Sequence, residues 1–192
     1  MPRELFEAIE AGDVEAVKAI VGEHPELASD RNDDGVSAVL HAQYRGQQDI
    51  TEVLVAARGD LDVFEAAAVG DTDRLLTLVN ESRSVVNAWS PDGFTPLQLA
   101  AFFGRTEAVR LLLNNQADVA PASKNDMKVH ALNSAVAGGN REIVAMLLEA
   151  GADPHAPEAN GWTPLRAAEA RDDEPIAGLL RDHGATRSTN EL

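Results

Sequence analysis

Apolar residues recur along this chain as pairs of short helical stripes divided by a glycine. Leu97, Leu99, Ala100 and Ala101 precede Gly104, and Val109, Leu112 and Leu113 follow it. The arrangement returns around Gly139, with Leu132 and Ala135 before it and Ile143, Val144, Leu147 and Leu148 after it. Apolar positions three and four apart predict two short amphipathic helices joined by a tight turn at the glycine. Gly12, Gly46, Gly70, Gly104 and Gly139 stand at spacings of 34, 24, 34 and 35, and Asp172 holds the equivalent place 33 residues further on. Each first helix is rich in alanine, whose small side chain lets neighbouring units approach closely. One helix pair cannot bury its apolar face alone, so the units must stack.

A longer repeat confirms the shorter one. Residues 5–62 and 63–120 align without a gap at a shift of 58, with thirteen identities that include both Gly-Asp and both Asp-Gly pairs. The motifs DGFTPLQLAAFFG, GGNREIVAMLLEAGADPHA and NGWTPLRAAEARDDEPIAGLLRDHGA resemble ankyrin repeats. The resemblance runs from about Glu4 to Ala185 and implies an all-α solenoid of stacked helix-turn-helix units with short hairpin fingers. A single domain over 1–192 would then hold six units, at about 4–31, 32–60, 61–89, 90–122, 123–157 and 158–186, with a polar tail at 187–192. Thr95 and Thr163 are expected as caps or turn formers, with Pro96 and Pro164 at the first helical position. Leu97, Leu132 and Leu165 are expected to point inward.

Three departures from the family pattern bear on structure. The histidine that follows the family's Thr-Pro-Leu is Gln98, Asn133 and Arg166 here, which alters the hydrogen bonds it usually makes between repeats. Arg58 and Gln116 stand where Gly151 and Gly184 end other units; a non-glycine residue held at positive φ costs about 1 kcal/mol there. The 24-residue spacing leaves no room for a hairpin finger between Ala56 and Phe64, and predicts a gap in the row of fingers.

Composition narrows the function. The formal charge of −16, with no basic stripe, argues against a nucleic-acid partner. The same charge suits either a solubilising surface or an acidic face that draws a basic protein. The chain has no cysteine, hence no disulfide, thiolate nucleophile or zinc–sulfur site. No apolar stretch approaches the roughly 20 residues of a membrane helix. No leader sequence opens the chain, and a cytoplasmic monomer is the expectation. His24, His41, His130, His155 and His183 show no ligand spacing, so no metal or other cofactor is expected. The acidic pairs Asp33–Asp34 and Asp172–Asp173 are better explained by turn chemistry and helix starts than by cation binding. Arg58-Gly59-Asp60 spells an adhesion tripeptide, but an inter-repeat turn accounts for it. No catalytic constellation is present.

The aromatic residues carry the remaining signal. In ankyrin units the two residues before the turn glycine lie on the concave surface, and the residue after Asp-Gly lies on the finger. The resemblance therefore implies a protein-binding surface of Tyr44, Arg45, Trp89, Phe94, Phe102, Phe103, Trp162 and Arg171. Phe6 and Phe64 are the packing aromatics. Adjacent Phe102 and Phe103 cannot both face one core stripe, because a helix advances about 100° per residue. The reading is a non-catalytic module that binds a protein, basic in one version, through its groove and fingers. An acidic inhibitor or antitoxin that occludes a basic site on an enzyme or nucleic-acid-binding protein is the alternative.

Overall fold

Residues 2–187 are described by a computed structural model; of the expected tail, 188–192 lie outside it. Among the described residues twelve α-helices follow one another in pairs: α1 (Pro2–Ala11) and α2 (Val14–Glu23), α3 (Ala38–Tyr44) and α4 (Gln48–Ala57), α5 (Val63–Val69) and α6 (Thr72–Glu81). The second half continues with α7 (Pro96–Phe102) and α8 (Thr106–Asn114), α9 (Ala131–Gly138) and α10 (Arg141–Glu149), α11 (Pro164–Ala170) and α12 (Glu174–Asp182). Two 3-10 turns, Pro25–Ser29 and Arg83–Asn87, follow α2 and α6.

Short polar residues start the helices as the sequence predicts. Thr95 and Thr163 accept from the backbone N–H groups of Gln98 and Arg166, each beside a proline at the first turn. Asp13, Asp71 and Asp173 do the same for α2, α6 and α12. The five turn glycines between paired helices all have φ between 68° and 87°, and Asp172 takes the same region at 54°. Gln116 also sits at positive φ (67°), whereas Arg58 does not, at −103°. The strain expected at Arg58 is therefore absent; the chain leaves α4 extended because it must reach α5 within five residues.

The odd-numbered helices form an inner row and pack one on the next along its whole length. Leu5, Ile9, Leu97, Leu132 and Leu165 are buried there with Ala66, Ala100, Ala135 and Ala168. The closest approach is α7 against α9, where a Cβ on Gly138 would lie 2.8 Å from the Phe102 carbonyl oxygen. Two of the three residues in the family's histidine place still bond to the neighbouring segment. Gln98 donates through Nε2 to the Pro121 and Val129 carbonyls at 3.0 and 2.8 Å, and Asn133 donates to Ala156 O at 3.3 Å.

The fingers are turns rather than strand pairs; among the described residues the one β-bridge joins Arg31 and Ser37. Ser90 N–H donates to Phe94 O, Ser123 N–H to Val129 O and Glu158 N–H to Trp162 O, closing three successive turns. Lys124 N–H then donates to Gly93 O and Ala159 N–H to Met127 O, so the three turns are bonded in a row.

No hairpin occupies the segment between Ala57 and Val63, but the predicted gap among the fingers is not found. A Cβ on Gly35 would lie 2.9 Å from Pro91 Cβ, so the turns on either side of the missing finger touch. With nothing projecting between them, they close up, and the separation opens on the outer row instead. There α4 and α6 barely meet, leaving a cleft lined by Val55, Arg58, Leu61, Asp71 and Arg74. Arg105 spans this junction, donating to Ala68 O at 2.8 Å and to Gln43 Oε1 at 3.3 Å. Arg58 itself is almost buried against Glu65, which removes its tripeptide from any adhesion role.

Among the described residues no cluster of three potential metal ligands occurs, and no helix is long and apolar enough to cross a membrane. Two histidines are instead partly buried. His41 meets the Phe6 ring edge-on at 5.4 Å, and its Nε2 and the Nδ1 of His130 are buried without a partner. Burial pushes both imidazoles below the ordinary histidine range; for His41 nearby Arg45 adds to the effect, whereas Asp153 opposes it for His130. Between the lowered pKa and about 6.5 the unfolded chain binds the extra protons, so stability rises with pH across that window. The contribution is whole above about 6.5 and is lost as pH falls through the folded-state value. An NMR titration of the histidine rings should find His41 and His130 deprotonating below the ordinary histidine value of about 6.5; either one at or above it contradicts this burial.

Candidate interaction groove

Tyr44 is the last residue of α3 and Phe102 the last of α7, so both stand where an alanine-rich inner helix reaches its turn. The two neighbouring phenylalanines separate as helix geometry requires. Phe102 is 44% exposed, whereas Phe103 is half-buried. Phe103 packs on a small cluster of Val36, Leu40, Ala68 and Leu99, and its ring lies 5.6 Å from Tyr44 and 5.0 Å from Phe102. Expected on the surface with Phe102, it proves to be largely a packing residue. It fills the junction between the second and fourth helix pairs, which the missing finger brings close together.

Tyr44 exposes its ring but turns its hydroxyl inward, donating to Asp92 Oδ2 at 2.6 Å. Ser90 Oγ donates to the other Asp92 oxygen at 2.5 Å. Burial, reinforced by the Asp92 carboxylate, raises the Tyr44 phenol well above the ordinary tyrosine range, so it remains a donor at any physiological pH. The bond ties the end of α3 to the finger that precedes α7. Phe94, half-buried on that finger, packs against the same cluster as Phe103.

These residues border a cavity of about 500 Å³ between the inner helices α7 and α9 and the three bonded fingers. Tyr44, Phe94, Phe102, Leu99, Met127 and Val129 supply most of its wall. Its polar edge is Asp92, Asn125 and Glu158, with Ser134 and Gln98 deeper. Asn125 Nδ2 donates to Asp92 O at 3.0 Å and fixes one finger on the next. Burial pushes the Glu158 carboxyl above its usual range, against the opposing effect of Asn160. Cavities of this size and character, mostly apolar with a few converging polar groups, are the usual form of a recognition site.

The groove gathers three of the eight residues singled out in the sequence: Tyr44, Phe94 and Phe102. The others are placed elsewhere. Lys124 Nζ lies 4.5 Å over the Trp89 ring, and the Arg166 guanidinium lies 4.7 Å over Trp162. Arg45 donates to Glu10 O at 2.8 Å, near the C-terminus of α1. Arg171 follows α11, with its guanidinium beside Gly139 at the preceding turn. Met127, 53% exposed, is the principal residue missed. It is the lone large apolar side chain in the polar finger Lys124-Asn125-Asp126-Met127-Lys128, a signal that aromatic residues alone do not capture.

The two phenylalanines should separate in a urea melt. Phe103→Ala is expected to lower stability by about 2 kcal/mol, below the cost of truncating a fully buried ring. Phe102→Ala is expected to stay within about 0.5 kcal/mol. Equal losses from both would contradict the difference in packing.

A family profile described as ankyrin repeats (three copies) matches residues 5–119 and again 63–158. The chain is 36% identical over 86 residues to the RelA-associated inhibitor of Mus musculus, covering 45% of this chain and 10% of that protein. It is 39% identical over 105 residues to ankyrin repeat and SAM domain-containing protein 6 of Rattus norvegicus, covering 53% and 11%. Ankyrin repeat and SOCS box protein 16 of Mus musculus is 40% identical over 100 residues, with 48% and 22% covered. Of the first two relatives' own length the chain spans about a tenth. The profile matches run together from Leu5 to Glu158, over the same stacked helix pairs and finger turns that build the groove. The chain belongs to the ankyrin-repeat family.

Proposed function

We propose that this chain is a non-catalytic protein-binding module and that the groove over α7 and α9 is its recognition surface. One observation carries the reading. Of the four exposed large apolar side chains among the described residues, Tyr44, Phe102 and Met127 line this one groove; Leu76 on α6 is the exception. Exposed apolar groups gathered in a single patch mark an interaction site, whereas scattered ones do not. The wall is also held in place before any partner arrives. Tyr44 is anchored by its hydroxyl and the fingers are bonded to each other, so little ordering cost remains on association.

The lining supports binding better than chemistry. It contains no histidine, lysine or cysteine, so acid–base work would fall to Asp92 and Glu158. Asp92 is already engaged by two hydroxyl groups. Among the relatives, the RelA-associated inhibitor is named for association with another protein. A benzophenone amino acid in place of Met127 should crosslink a protein in lysate of the native cells. The same probe at Leu76 serves as the control on the outer surface. Crosslinking at 76 and not at 127 would move the binding surface off the groove.

A further inference from the structure

We infer that the groove selects a peptide segment in which one large apolar side chain stands between two basic ones. This rests on the groove being the binding surface and adds the chemistry of its occupant. The order of groups along the groove is fixed by the bonded fingers. Lys124 N–H to Gly93 O and Ala159 N–H to Met127 O place the Met127 turn between the turns that carry Asp92 and Glu158. Met127 thus stands between a turn that carries Asp92 and one that carries Glu158, and Phe94 and Phe102 join it in the apolar wall.

Neither carboxylate is neutralised by a cation among the described residues. Asp92 accepts from the Tyr44 and Ser90 hydroxyls, both uncharged, which hold the carboxylate in place without cancelling its charge. Glu158 is half-buried, with Asn160 as its polar neighbour. No lysine or arginine lines the cavity. Lys124 covers Trp89 and Arg166, on α11, covers Trp162; Lys128, next to Met127 on the same finger, does not line the cavity. A carboxylate set against apolar walls interacts with an arriving cation more strongly than one in open water. The net charge of −16 adds long-range attraction for a basic segment and repels acidic ones.

Selection of a displayed random-peptide library against the whole chain tests this directly. The enriched peptides should carry an aromatic or large aliphatic residue with lysine or arginine on both sides. Replacing Asp92→Asn with Glu158→Gln removes both charges; the new amide at 92 keeps one acceptor oxygen for one of the two hydroxyls, and the other hydroxyl oxygen can accept from its NH2. That variant should bind the selected peptides about three- to tenfold more weakly, as expected for two partly exposed charge pairs, and high salt should erase the difference. A circular dichroism melt of the variant confirms that its fold is retained. Selected peptides that need Phe102 and Met127 but carry no basic residues, or bind the charge-free variant equally well, overturn the inference and leave the groove reading standing. Peptides that still bind after Phe102→Ser with Met127→Ser overturn both. Failure to enrich any peptide also counts against a peptide-selective groove.

Discussion

Glu65→Ala should lower folding stability by about 3–5 kcal/mol, the cost typical of leaving one partner of a buried ion pair uncompensated. Glu65 is 0% exposed in α5 and accepts from Arg58 Nη1 at 2.5 Å; the Arg58 side chain is only 9% exposed. Its other oxygen accepts from Asp62 N–H at 2.9 Å, completing a capping box at the start of α5. One carboxylate therefore neutralises a buried guanidinium and starts a helix. The Nε of Arg58 has no partner even in the intact protein, and after the loss of Glu65 its remaining partners are the Asp60 carbonyl at 2.7 Å and the exposed Asp60 carboxylate at 3.9 Å, both reached through Nη2. The double variant Arg58→Met with Glu65→Gln removes both charges and keeps an acceptor for the cap; it should recover most of the loss. Urea denaturation of the single and double variants measures both effects. A single-variant loss below about 0.5 kcal/mol, the scale of ordinary surface substitutions, would contradict the structural role of the pair.

The effect should also be local. In stacked repeats stability is roughly a sum of unit and interface terms, and here the outer row is open between α4 and α6. Hydrogen exchange in Glu65→Ala should therefore rise first around α4 to α6, before it rises in α7 to α10.

Phe102→Ser with Met127→Ser should weaken binding of a groove ligand by a hundredfold or more, on the order expected when two central apolar anchors are lost. The stability cost should stay within about 1 kcal/mol, because both side chains are largely exposed already. Fluorescence polarisation with a selected peptide, beside urea melts of the same samples, separates the two quantities. Binding and stability falling together would mean that the side chains act through the fold. Unchanged binding would mean that the groove is not where the peptide sits. Leu76→Ser, on the outer helix α6, should alter neither quantity by much.

The helix pairs were legible because helix periodicity, a recurring glycine and Thr-Pro starts all point to one local structure. Leu97, Leu132 and Leu165 fall in the core as expected, and the odd spacing between Gly46 and Gly70 does mark a segment without a hairpin. What was not legible depends on how units close on one another. A missing finger reads as a gap in the chain, yet Gly35 moves against Pro91 and the opening appears on the opposite side. Phe103 is drawn into packing by that same closure. Trp89 and Trp162 stood out as surface aromatics, but each is covered by a cation that its sequence position did not reveal. Met127 escaped notice because a single methionine among polar residues has no periodicity to betray it. Only the bonded row of fingers brings it beside Phe102.

The most direct test of the groove is a ¹H–¹⁵N NMR titration of the whole chain with a selected peptide. A binding surface between α7, α9 and the fingers predicts the largest shifts at Tyr44, Phe94, Leu99, Phe102, Met127 and Val129, with α4, α6 and α12 little changed. Shifts concentrated on the outer helices or in the cleft between α4 and α6, with the groove residues silent, would contradict it.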